Sequence, residues 1–360
     1  MHSRMNYNKF KRFALFVCIN NVMYPIIFMK KVLTQKEALQ LATSTLQSSG
    51  ASKENAEPLA QGIIDAENQG IKSHGFHYLP IYCLHLKCGK VKGDANPSLT
   101  KISNVSYKID ADNGFAHRAI FLGLEQLIPS AKENGIGSLA ITNSYNCGVL
   151  GYHTKNIAKE KLLAIGFTNA PSSIAPVGGI KPVIGTNPFS VAIYSRGDVK
   201  IIIDQSASVV AKSEISVKAK SGEKIPEGWA FGPDGKTTTD PNMALKGTMV
   251  PSGGYKGFGI GLFVEIMSAC LTGSNLGIEA SSFANDQGGP PGTGQFFIAI
   301  NPEKYSENFE EKIEKIIQSI LGQKNARVPG SKRIKNFKRN SESNIQIKEE
   351  LYKKIISLNN

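Results

Sequence analysis

The stretch HRAIFLGLEQLIPSAKENGIGSLAIT, residues 117–142, decides the fold class. Residues 117–134 carry the apolar spacing of an amphipathic helix, which stops at Gly135. Residues 138–142 then read as a short apolar strand. The same alternation continues on both sides. Residues 107–109 are strand-like and end at the turn Asp112-Asn113-Gly114. Residues 150–160 look helical and lead into a strand at 162–168, with further strands at 189–194, 199–204 and 295–300. Strands interleaved with helices predict an α/β fold with a mixed sheet flanked by helices. The N-terminal part is helical instead. Thr34 is an N-cap with Glu37 three residues on, a second helix covers 53–69, and a third covers 78–90 and ends at Gly89. Toward the C-terminus an apolar helix is expected at 260–272, a Gly/Ser/Pro-rich loop at 280–294 and a charged amphipathic helix at 304–321.

The 360 residues suit one large or two medium domains. With 41% apolar and 20% charged residues the chain supports a core and is not disordered in general. The formal charge is +13 and unevenly spread. Arg4, Lys9, Lys11, Arg12, Lys30 and Lys31 stand in a stretch without acids, and Lys332, Arg333, Lys335, Lys338 and Arg339 form a second run. Such a balance fits a polyanion or a small anionic substrate, and equally solvated faces and a basic tail. Five cysteines lack metal or disulfide spacing, so no metal site is expected and a reducing cytoplasm is the simplest compartment. Residues 13–28 are apolar after a basic patch, like a signal peptide. Asn20 and Asn21 interrupt them, Pro25 breaks them, and the run is short for a membrane span. We read Met29 as the native start and 1–28 as a non-native or disordered extension; a peptide from upstream of Met29 in the native protein would overturn that.

Lys72-Ser73-His74-Gly75-Phe76 carries the first chemical signal. It follows a helix bearing Asp65 and Glu67 and presents an imidazole at a chain break. Histidine titrates near neutrality and can hand a proton to a substrate oxygen, although a lone histidine is more often structural. Three loops follow strands: Thr168-Asn169-Ala170, Gly185-Thr186-Asn187-Pro188, and Asp204-Gln205-Ser206. Small hydroxyl and amide side chains at strand ends suit a ribose or phosphate, and equally plain turns. Gly253-Gly254-Tyr255-Lys256-Gly257 opens a helix, with glycines that admit a phosphate and a lysine that adds charge. Val328-Pro329-Gly330-Ser331-Lys332 is a turn that could close over a ligand. No Gly-x-Gly-x-x-Gly follows an early strand, so the Rossmann fingerprint is absent, and no Walker sequence replaces it.

In order, Ser73-His74-Gly75, Gly89-Lys90-Val91, Asn143-Ser144, Thr168-Asn169, Gly185-Thr186-Asn187-Pro188, Pro226-Glu227-Gly228-Trp229, Gly254-Tyr255-Lys256-Gly257 and Pro329-Gly330 make the chain resemble the malate/L-lactate/sulfolactate dehydrogenase family. That family is unrelated to Rossmann-type lactate dehydrogenases, and the likeness spans roughly residues 32–345. It implies a non-Rossmann fold, NAD or NADP as cofactor, a small anionic 2-oxo or 2-hydroxy acid as substrate, and a homodimer with its site near the subunit interface. It implies a dinucleotide-binding domain over 116–250, inserted between a helical N-terminal region, 29–115, and a return to the catalytic and dimer domain, 251–360, with a C-terminal tail. Carried over by position, His74 is the proton donor and Asp204 the second catalytic residue. Ser73, Tyr78 and Asn146 fall on the substrate. Thr168, Asn169, Ala170, Ile203, Asp204, Gln205, Ser206, Tyr255, Lys256, Gly330, Ser331 and Lys332 fall on the cofactor.

Two departures bear on substrate. Tyr78 stands where many members have a carboxylate-binding arginine, and Asn146 where many have an acid/base histidine. Asn donates a hydrogen bond but cannot relay a proton. The loop 276–297 resembles the sulfolactate branch. The reading is an NAD(P)-dependent oxidoreductase for sulfolactate/sulfopyruvate or malate/oxaloacetate, with a cyclic imino-acid (ketimine) reductase as its enzymatic alternative. An inactive relative, and a basic nucleic-acid-binding protein suggested by charge alone, are the competing readings; neither nucleic acid nor membrane is the expected partner.

Overall fold

The computed structural model describes residues 16–19, 22–25 and 30–359. Strands β1 (Phe16–Ile19) and β2 (Val22–Pro25) pair antiparallel. The rest of the 1–28 extension lies outside the described residues.

The body is built on a seven-stranded sheet. Its members are β4 (Ser98–Lys101), β5 (Ser106–Asp110), β6 (Ile136–Ser144), β7 (Leu163–Thr168), β8 (Phe189–Ser195), β9 (Asp198–Gln205) and β13 (Thr293–Ile300), in the order β4-β5-β6-β13-β7-β8-β9. Only β5 and β6 are parallel, and they are joined by the long crossover helix α4 (Ala116–Asn134). β13 returns from far along the chain and slots antiparallel between β6 and β7. The sheet is therefore mixed. α4 buries Ala119, Ile120, Leu124 and Leu127, and α5 (Leu150–Ala158) buries Leu150 and Ile157. Both rows meet Ile109, Leu139, Ile141 and Phe297 of the sheet in one core. The alternating buried pattern of β13 matches a strand with one face in that core.

A second core underlies the N-terminal region. α1 (Gln35–Ser48), α2 (Lys53–Gln69) and α3 (Leu79–Lys87) enclose Leu46, Leu59, Ile63, Leu79 and Tyr82. Thr34 and Glu37 form the expected reciprocal cap. The chain's far end closes this layer, since β14 (Ile345–Lys348) pairs with β3 (Lys30–Leu33) and α11 (Glu349–Ile356) adds Ile355 to the same core. A third, smaller core gathers Ile174, Ile184, Ile215 and Ile225. It lies beside α6 (Lys212–Ser221), α7 (Pro241–Lys246) and the small sheet β10 (Ala230–Phe231), β11 (Thr237–Thr238), β12 (Thr248–Met249).

Three expectations differ in detail. The apolar helix starts earlier, as α8 (Tyr255–Glu265), and runs on as a π-helical turn at Ile266–Cys270. The helix expected from 304 begins at Phe309 as α9 (Phe309–Leu321), because the Pro302–Lys304 3-10 turn precedes it. The basic run 332–339 is part of a folded helix, α10 (Ser331–Ser341), rather than a tail, and Lys332, Lys335, Lys338 and Arg339 are exposed on it. Among the described residues no helix is long and apolar enough to cross a membrane.

Candidate active site

His74 closes a one-turn 3-10 helix, Lys72–His74, at the end of α2. Burial explains why this turn is fixed. Glu67 is 5% exposed, and its carboxylate accepts the Phe76 main-chain N–H at 2.9 Å and the Lys72 ammonium. A Cβ on Gly75 would lie 2.1 Å from the Glu67 carboxylate, so only glycine lets the chain pass there. The His74 imidazole is half-buried. Its Nδ1 lies 3.1 Å from the Ser73 hydroxyl, which can donate to a neutral ring or accept from a charged one. Burial pushes the His74 pKa below the ordinary histidine value; Asp204 pulls it back up, and Arg333 opposes Asp204.

Asp204 sits at the end of β9, with Gly151 against it; a Cβ there would come within 2.9 Å of the carboxylate. Arg333 of α10 donates to Asp204 Oδ2 at 2.6 Å. The turn before α10 is no free flap. Gly330 has φ +81 and packs on the backbone of Ile202, where a Cβ would meet the carbonyl oxygen at 2.7 Å. Ile203, Asp204, Gly330 and Ser331 are thus neighbours, with Lys332 on the exposed side.

The two departures also come together beside His74. The Tyr78 ring stacks at 6.4 Å from the His74 ring. Its hydroxyl donates to the Phe283 carbonyl at 3.1 Å, with the Tyr145 and Asn146 side chains in reach of it. Burial raises the Tyr78 pKa to about 12, so the phenol stays neutral. His85 donates from Nε2 to the Asn285 carbonyl at 2.9 Å, which leaves its Nδ1 to accept the Tyr145 hydroxyl. Tyr78 and Tyr145 therefore have their protons committed to protein acceptors, and neither replaces an arginine. Asn146 spends its Oδ1 on the Gly148 N–H at 2.6 Å, leaving its amide as the donor at this end.

The strand-end loops converge. Ala170 N–H donates to Asn187 Oδ1 at 3.2 Å, and Ala207 N–H donates to the Thr186 carbonyl at 2.7 Å. Thr168 and Asn169 are buried, and Asn169 bonds Gly294 and Asn275 on either side, so its amide braces loops as much as it faces any ligand. Asn187 in turn donates to the buried carboxylate of Glu265, which also accepts the Gly277 N–H at 2.6 Å. Gln205 and Ser206 continue β9 toward Ser208, which bridges to Pro251. That contact places the Gly253-Gly254 turn, with φ of +78 and +64 and open space over both, beside the strand end. Tyr255 and Lys256 are exposed there at the start of α8. A glycine turn opening a helix can take a phosphate, so the residues present fit a dinucleotide along β9.

Sequence reasoning missed Glu67 as the brace of the His74 turn, Arg333 as the partner of Asp204, and Tyr145 and His85 as the wall behind Tyr78. Arg333 was visible only as one charge in a basic run. His77 is exposed, and His153 is packed in the core. Among the described residues no group of three or more His, Cys, Asp or Glu side chains could hold a metal.

A mixed sheet without the Rossmann glycine turn, with His74 in the field of Asp204 at the end of β9, fits a dehydrogenase of the non-Rossmann class. The chain belongs to the malate/L-lactate dehydrogenase family, whose model matches residues 33–356. It is 41% identical over 305 residues to the (2R)-3-sulfolactate dehydrogenase (NADP(+)) of Chromohalobacter salexigens, covering 85% of this chain and 91% of that one. It is 33% identical to a delta(1)-pyrroline-2-carboxylate reductase of Ancylobacter novellus, covering 91% and 97%. Among solved structures, the sulfolactate dehydrogenase of Methanocaldococcus jannaschii superposes with a TM-score of 0.82 at 30% identity, over 91% of this chain and 96% of that one.

Proposed function

We propose that this chain is an NAD(P)-dependent oxidoreductase that interconverts a small anionic 2-hydroxy acid and its 2-oxo acid, with sulfolactate/sulfopyruvate first and malate/oxaloacetate second. The observation that carries the reading is the half-buried His74 in the field of Asp204, on a chain 41% identical to a sulfolactate dehydrogenase. NADP is favoured over NAD because that relative's name specifies NADP(+).

The nicotinamide supplies a hydride to the substrate carbonyl carbon when bound. His74 gives its proton to the carbonyl oxygen as charge builds there, and takes it back in the oxidative direction. Asp204 steadies the imidazolium, and Ser73 holds the ring through Nδ1. Asn146 and Tyr78 line the substrate end, where the amide donates to the acid group. A sulfonate, with three acceptor oxygens, suits such a pocket without the arginine. Thr168, Asn169, Ala170, Ile203, Gln205 and Ser206 hold the cofactor along β9, with Tyr255, Lys256, Gly330, Ser331 and Lys332 at its two flanks. Residues 116–250 form the dinucleotide-binding part and 29–115 with 251–360 the catalytic part of a cytoplasmic homodimer.

A second reading, a cyclic ketimine reductase, is favoured by the Ancylobacter novellus relative and by the solved delta1-piperideine-2-carboxylate reductase of Pseudomonas syringae (TM-score 0.86, 28% identity, 91% of this chain and 99% of that one). Turnover of sulfopyruvate, oxaloacetate and a cyclic ketimine with NADPH and NADH in one assay separates the two. Preference for the ketimine would overturn the first reading.

A further inference from the structure

Lys90 has no exposed surface, yet it ends α3's following turn in a cage of oxygens. Its ammonium donates to the main-chain carbonyls of Ser282, of Asn285 at 3.0 Å and of Gln287 at 2.8 Å. Three N–H donors thus meet three carbonyl acceptors, and the match is complete. A buried cation is costly unless its donors are satisfied, so this placement holds only while the 282–287 backbone stays curled around it. The same backbone is tied by His85 at Asn285 and by Tyr78 at Phe283. The Phe283 ring then lies 5.3 Å from the Tyr145 ring, in the wall next to Tyr78 and His74. The strip formed by Thr168–Ala170, Ile203–Ser206 and Gly330–Lys332 does not take part in these contacts.

We propose that Lys90 is a positioning residue: its ammonium acts as a tethered cation that shapes the 282–287 loop into the wall of the substrate pocket, and so sets affinity for the 2-oxo acid without acting on the cofactor. An untethered loop would let Phe283 and the Tyr78 hydroxyl drift, and small displacements of a pocket wall are felt in substrate binding. The proposal rests on the dehydrogenase reading, and the experiment separates the two failures.

Lys90→Met keeps the bulk and removes the ammonium. Lys90→Arg keeps the charge but offers a planar fork to a cage shaped for a point charge. For a 2-oxo acid that the wild type turns over, Lys90→Met is expected to raise KM about tenfold and Lys90→Arg by a few-fold, with KM for NADPH unchanged in both. Hydrogen exchange should quicken at the amides of 281–289 and stay as in the wild type over α4 and β6. Unchanged KM for the oxo acid, or equal changes in both KM values with exchange faster throughout, would overturn the proposal. If Lys90→Met does not fold, Lys90→Arg alone decides, by the presence or absence of the same split. A wild type inert on every oxo acid would sink the dehydrogenase reading instead; loop exchange would then still decide whether Lys90 shapes the 282–287 segment.

Discussion

Arg333 on α10 and Asp204 at the end of β9 meet at 2.6 Å, and this pair sets the field around His74. Asp204 stabilises the imidazolium and Arg333 destabilises it. Removing Asp204 or Arg333 should shift the His74 pKa in opposite directions.

In the proposed mechanism His74 must be protonated to reduce a ketone and neutral to oxidise an alcohol. Its folded pKa lies below 6.5, chiefly through burial. Reductive kcat/KM should therefore fall as pH rises through that lowered value, while oxidative kcat/KM rises through it and levels above. Asp204→Asn should move both limbs to lower pH and cut neutral-pH reduction about tenfold or more. Arg333→Met should move them to higher pH. pH profiles of the three proteins check this; limbs that stay in place would separate His74 from Asp204.

Glu67 and Gly75 share one contact that fixes the histidine turn. Gly75→Ala should collide with the carboxylate, and Glu67→Gln should lose the Lys72 ion pair. Either is expected to lower kcat by about 10²-fold while cofactor affinity, read by fluorescence titration, holds.

Lys155 is 6% exposed and paired with Asp65, and its ammonium lies 4.1 Å from the centre of the Phe337 ring. This joins α5, α2 and α10. Asp65→Asn leaves a buried ammonium without its counter-charge and should cost about 3 kcal/mol in urea unfolding. A loss below about 1 kcal/mol would mean that the ring and solvent satisfy Lys155.

His153 is fully within the core and donates from Nε2 to the Cys147 carbonyl at 2.9 Å. Burial lowers its pKa to about 4, against a contrary pull from the Cys147 carbonyl and Asp65. The unfolded chain therefore binds a proton that the folded chain refuses between pH 6.5 and about 4. Stability should drop as pH falls through that window and flatten below it, by ~3 kcal/mol from this group. His117, also pushed down by burial, adds in the same direction. His153→Gln should flatten the slope in acid denaturation.

The sheet was legible because its strands are short apolar runs closed by turn residues. The run 189–194 became Phe189–Ser195, and 295–300 became Thr293–Ile300. Ser98–Lys101 was not, since all four residues are exposed and carry no alternation. α10 hid because nine of its eleven residues are Lys, Arg, Asn or Ser, and its anchorage comes from Gly330 against Ile202 and from Arg333 on Asp204. His74 and Asp204 could be named from motifs. Glu67, Lys90 and Tyr145 could not be given roles, because their partners lie 9, 192 and 60 positions away and only the fold brings them close.

The central claim is tested most directly by following oxidation of NADPH with sulfopyruvate in the wild type and in His74→Gln. The wild type should turn over, and the variant should bind NADPH with the same affinity yet lose at least about 10²-fold in kcat. Full turnover by His74→Gln, or no turnover of any 2-oxo acid by the wild type, would contradict the account.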